Sequence, residues 1–147
     1  MKMHTIRLGM LLGAPAVPIL FAALAIAAPG LNEFGATMYE DENFQDTPCP
    51  IRFRQNIPDL NRFEFGNQAD SMRWRIPRGW CLVLFDRPNY QTPLLVVDGI
   101  GSIRDLENGK NSRGKDLNIE DKFESVGWYP ARQVATDPAF RYAQRVR

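Results

Sequence analysis

Short runs of alternating apolar and polar residues recur from residue 36 to residue 130. Ala36–Tyr39 starts the series, and Ile51-Arg-Phe-Arg54, Arg62-Phe-Glu-Phe65 and Met72-Arg-Trp74 continue it. Cys81-Leu-Val-Leu-Phe85 and Leu94-Leu-Val-Val97 are denser, and Phe123-Glu-Ser-Val-Gly-Trp128 returns to alternation. A period of two predicts strands with one face buried and one wet. No apolar stripe of helical period interrupts them, and the turns between are rich in Asn, Asp, Gly and Pro.

The pattern occurs twice. Tyr39-Glu-Asp-Glu-Asn-Phe-Gln45 is answered by Phe85-Asp-Arg-Pro-Asn-Tyr-Gln91, and Ile57-Pro-Asp-Leu60 by Ile103-Arg-Asp-Leu106, both at an offset of 46 residues. Ser71-Met-Arg-Trp74 is answered by Ser125-Val-Gly-Trp128 at an offset of 54. The eight extra residues fall between Leu106 and Ser125, where the polar and Gly-rich run 108–115 reads as an inserted loop. Neither copy can bury its apolar face alone, so the expected fold is all-β, with two four-stranded motifs packed as a sandwich over residues 36–78 and 79–130. Leu60, Phe65, Trp74, Leu84, Leu106, Val126 and Trp128 are the expected core.

The flanks differ in composition. Lys2 and Arg7 precede an uncharged run from Leu8 to Ala28 that ends in the small-residue pattern Ala25-Ile-Ala27. Such a run predicts a secretory signal over residues 1–27, followed by a linker at 28–35 and by a secreted or periplasmic mature chain. Pro15 and Pro18 disfavour a membrane anchor, which needs roughly 20 helical apolar residues. Residues 131–147 form a basic tail, in which Thr136-Asp-Pro138 can start one short helix through Val146 or the segment can dock loosely.

Removing residues 1–27 leaves 16 Lys and Arg against 17 Asp and Glu. That balance gives no electrostatic case for nucleic acid or for a membrane surface. Cys49 and Cys81, an even pair in an exported chain, predict one disulfide. The sole histidine, His4, lies within the expected signal, so the mature chain lacks the imidazole of a hydrolytic triad or of a zinc site. Gly99-Ile-Gly101 lacks the rest of a phosphate loop, and the acidic runs at 40–42 and 120–121 have no apolar pocket to separate their pKa values. The expectation is a protein without enzymatic activity.

The paired aromatics Tyr39-x4-Phe44 and Phe85-x4-Tyr90, the mid-repeat Ile-x-Asp-Leu and the closing Ser-hydrophobic-x-Trp together resemble the βγ-crystallin family, in its secreted microbial single-domain form. The resemblance covers residues 36–130 and implies two Greek keys, each with an aromatic hairpin folded over its sheet and each lending its third strand to the other. Where the family places Gly two residues after the second aromatic, this chain has Asp46 and Thr92. β-Branched Thr resists a left-handed backbone, so a reshaped second hairpin is expected.

Calcium-binding members resemble one another in Asn/Asp-Asn/Asp-x-x-Ser/Thr-Ser before the last strand. Here the aligned segments are Gly66-Asn67-Gln-Ala-Asp70-Ser71 and Glu120-Asp121-Lys-Phe-Glu124-Ser125. The resemblance implies calcium ligands among Asn67, Asp70, Glu120, Asp121 and Glu124, with the sites crossing between copies. Glu120 with Asp70 makes the stronger pair, because Glu124 faces a Gly66 that carries no oxygen. A second implied role comes from secreted metalloproteinase inhibitors of similar size and crystallin-like fold, for which the partner would be an extracellular protease met by the 108–115 loop. Those inhibitors usually carry two disulfides, more than two cysteines can make.

Overall fold

The computed structural model describes residues 33–110 and 113–146. The expected signal at 1–27 and most of the linker lie outside the described residues. Among the described residues eight strands are present: β1 (Gly35–Asp41), β2 (Gln45–Arg52), β3 (Ser71–Arg75), β4 (Trp80–Arg87), β5 (Gln91–Val97), β6 (Ile100–Ile103), β7 (Ser125–Pro130) and β8 (Gln144–Val146). They form two four-stranded sheets, ordered β2-β1-β3-β6 and β7-β4-β5-β8.

Alternation dictates the layering. Ala36 and Met38 of β1, Met72 and Trp74 of β3, Leu82 and Leu84 of β4, and Leu95 and Val97 of β5 point inward and make one core between the sheets. All seven residues expected in the core belong to it. Ring contacts knit its open end, where Phe53 stands edge-on to Trp80 at 5.3 Å and to Trp128 at 5.0 Å.

Strand exchange between the copies is unequal. The second copy lends β6 to the first sheet, in register Met72↔Ile103 through Arg75↔Ile100. The first copy returns a single bridge, Ile57↔Val126, closed by backbone bonds of 2.8 and 2.9 Å. The stretch Arg62–Phe65 is not a strand. Asp59 Oδ1 accepts the Asn61 N–H at 3.0 Å and caps a 3-10 turn over Leu60–Phe63, which Glu64 ends at φ 58°. A local side-chain cap thereby overrides a period-two pattern.

The C-terminal segment is neither a single helix through Val146 nor loose. Helix α1 (Ala131–Thr136) follows β7 directly, a 3-10 turn covers Pro138–Phe140, and β8 pairs parallel to β5 from Leu95↔Gln144 to Val97↔Val146. Val134 and Phe140 seat on Cys81, Val83, Phe85 and Val96, making a second apolar cluster on the outer face of the second sheet.

The disulfide expectation is overturned, for both cysteines are thiols. Cys49 points into the core between the sheets, whereas Cys81 belongs to the cluster beneath the C-terminal segment, on the far side of the other sheet. A sheet stands between the two sulfurs, and spacing along the chain carries no information about facing. Burial pushes the Cys49 thiol up to about 11.

Candidate metal centre between the two copies

The hairpins orient everything around the candidate site. In each, the two aromatics meet edge to face with ring centroids 5.8 Å apart, Tyr39 with Phe44 and Phe85 with Tyr90. The second hairpin is not reshaped, because Thr92 takes φ 54° where Asp46 takes φ 59°. Buried serines lock both. Ser71 Oγ accepts from Phe44 N–H at 3.0 Å and donates to the Asp41 carbonyl at 2.6 Å, while Ser125 Oγ accepts from Tyr90 N–H at 3.1 Å and donates to the Arg87 carbonyl at 2.6 Å.

The acidic segments run side by side as a consequence of the duplication. Asn67 and Asp121, equivalent residues, are left-handed at φ 57° and 49°. Each donates its N–H across to the other copy, Asn67 to the Phe123 carbonyl at 2.8 Å and Asp121 to the Ala69 carbonyl at 3.2 Å. Asp70 and Glu124 are likewise matched, donating to the Tyr39 and Phe85 carbonyls at 2.9 Å each.

This crossing produces two dissimilar clusters. At one, Glu124 Oε1 accepts from Asn67 Nδ2 at 2.8 Å, so the protein itself supplies the carboxylate with a donor. At Gly66, next in sequence, an added Cβ would run into the Asn61 side chain. At the other, Asp70 Oδ1 is buried and has no hydrogen-bond partner among the described residues. Burial, the charges of Asp121 and Glu120, a close approach to the Asp121 carboxyl and the charge of Asp41 push the Asp70 carboxyl up to about 6. Burial followed by the charges of Glu107, Asp121, Asp105 and Glu42 raises Glu120 as well.

An orphaned carboxylate oxygen among acids is what a hard cation would relieve, and oxygen donors of this kind suit calcium. Among the described residues no three acidic, thiol or imidazole side chains already converge on a common point. A cation there would therefore draw on Asp70 as its anchor, with the surface carboxylates of Glu120 and Asp121 and with carbonyl or water oxygens completing the shell. On this observation the Asp70 cluster fits calcium, and the Glu124–Asn67 cluster, satisfied internally, does not. Asp41 is the member that sequence reading missed as a neighbour of Asp70. It stands in the acidic run 40–42, and only the folded hairpin brings it there.

A βγ-crystallin domain solved in work on the evolution of the eye-lens fold superposes with a TM-score of 0.53 at 14% identity, covering 70% of this chain and 90% of that one. The chain has a βγ-crystallin fold. Further βγ-crystallin structures, from Ciona intestinalis (TM-score 0.49, 19% identity, covering 65% of this chain and 99% of that one) and Clostridium beijerinckii (0.40, 18%, 65% and 97%), are also similar. No protein-family model and no curated protein sequence matches. In this chain β8 lies on the outer edge and α1 on the outer face of the second sheet.

Proposed function

We propose that the protein is an exported, non-enzymatic βγ-crystallin-type domain that binds one calcium ion between its two copies, at Asp70 with Glu120 and Asp121. The observation that carries this reading is the buried Asp70 Oδ1, which lacks a donor among the described residues and is crowded by acids. Binding would exchange carboxylate repulsion for shared coordination and tie residues 66–71 to 120–125, so the ion would act on stability. Isothermal titration with calcium, beside thermal unfolding in chelator and in about 1 mM calcium, tests it. One site is expected, with a higher unfolding midpoint in calcium and neither effect in Asp70→Ala. An unchanged midpoint and no heat of binding would end the metal reading.

A further inference from the structure

The two copies differ at one strand edge, and the difference leaves a cavity. At the offset of 46 residues, the counterpart of β6 is the stretch 54–57. β6 pairs with β3 from Met72↔Ile103 to Arg75↔Ile100, whereas among the described residues 54–57 meets β7 at the isolated bridge Ile57↔Val126. A tight turn diverts the chain. Arg54 is left-handed at φ 64°, the Gln55 N–H donates to the Arg52 carbonyl at 3.0 Å, and Gln55 Oε1 accepts the Arg52 N–H at 3.1 Å. A side chain then stands in for the strand, with Asn56 Oδ1 accepting the Trp128 backbone N–H at 2.8 Å.

The same turn leaves one indole without an acceptor. In the first copy Trp74 Nε1 donates to the Asp98 carbonyl at 2.9 Å. Trp128, its counterpart, is 5% exposed, and its Nε1 is buried with no hydrogen-bond partner among the described residues. The residue equivalent to Asp98 is Arg52, whose carbonyl accepts from Gln55 instead. A buried donor with no bond carries its full desolvation cost, which a bound acceptor would relieve.

Trp128 lines a cavity of about 340 Å³ together with Arg54, Asn56 and Trp80. That volume lies near the low end for small-molecule sites, roughly 300–1000 Å³. The Arg54 guanidinium is stacked 5.2 Å from the Phe53 centroid and 5.0 Å from that of Trp80, which limits the freedom of its planar fork. Asn56, with its oxygen engaged, keeps its NH₂ group as a donor. Among the described residues no acidic side chain lines the cavity. Its polar lining is therefore donors and one positive charge.

We propose that this cavity binds a small organic carboxylate. The Arg54 fork takes both carboxylate oxygens, a match of planar donor to planar acceptor. Trp128 Nε1 and Asn56 Nδ2 donate to the remaining lone pairs, and the Trp80 ring flanks the apolar body of the ligand. The backbone of Arg54 fits this role, because a left-handed conformation that glycine adopts without strain is here held by the residue that brings the charge.

Phenylacetate, with neutral phenylacetamide as control, tests the proposal by NMR of the indole N–H groups, Trp128→Phe serving to assign the Trp128 resonance. Phenylacetate is expected to shift that resonance saturably, with a Kd of about 1 mM or tighter. The Trp74 resonance should stay in place, since its N–H already has an acceptor, and phenylacetamide should move neither. Arg54→Gly should weaken binding by about tenfold or more. Its unfolding midpoint should equal or exceed the parent's, which separates lost binding from lost folding. No shift at Trp128, an equal response to the two probes, or unchanged binding by Arg54→Gly would overturn the proposal. So would tighter binding of inorganic phosphate at Trp128, which would assign the donors to a tetrahedral oxyanion.

Discussion

Ser125 closes the second hairpin on Tyr90: its buried hydroxyl accepts the Tyr90 N–H at 3.1 Å and donates to the Arg87 carbonyl at 2.6 Å. Ser71 does the same for Phe44 and Asp41. Each Ser→Ala change removes one acceptor and one donor from a place water cannot reach, and should cost about 2 kcal/mol. Urea denaturation of the two variants checks this, and the duplication predicts similar losses for both.

Thr92 stands at φ 54°, where a β-branched side chain crowds its own backbone. Thr92→Gly is expected to stabilise by about 1 kcal/mol, the relief of left-handed strain exceeding the entropy cost of glycine. Asp46→Gly, at φ 59°, should gain less because Asp tolerates that region. Equilibrium unfolding of the pair measures the difference.

The Asp70 carboxyl, pushed up to about 6, gives a pH signature with a definite sign. A carboxyl whose pKa is raised on folding favours the native state in its protonated form. Its contribution is complete below the unfolded value of about 4 and is lost as pH rises through about 6. In chelator, Asp70→Asn should therefore be more stable than the parent at pH 7.5 and nearly equal to it at pH 4. Thermal midpoints at the two pH values decide this, and in calcium the ranking at pH 7.5 should reverse.

Phe140 is 4% exposed and anchors the C-terminal segment on Phe85 and Val96. Truncating it to Ala should cost about 3 kcal/mol. Deleting residues 131–147 would bare the apolar outer face of the second sheet, so self-association is expected. Analytical ultracentrifugation of the truncated chain tests that outcome.

Both cysteines being thiols, reductant should leave the unfolding midpoint unchanged. Native Cys49, buried and held near 11, should alkylate far more slowly than in urea. Mass spectrometry of iodoacetamide-treated protein reads both.

The fold was legible because it is written twice. Two copies of one aromatic hairpin and one Ser-hydrophobic-x-Trp ending pointed to a single architecture, and the core followed from alternation. The crossing of the acidic segments was legible too, through the resemblance of residues 66–71 and 120–125. What remained hidden depends on contacts distant in sequence. Gln144–Val146 shows no strand pattern of its own and becomes one only against β5. Arg62–Phe65 alternates like a strand but yields to the Asp59 cap.

The amino-acid sequence by itself determined the duplication, the two-sheet sandwich and the core. Only the tertiary structure decided that Cys49 and Cys81 face opposite sides of a sheet, that Glu124 is satisfied by Asn67 while Asp70 Oδ1 is not, and that the C-terminal segment covers the outer face of the second sheet. The physical reason is common to all three. Periodicity tells a residue whether it points inward or outward, and the three-dimensional packing of distant segments decides what it meets there.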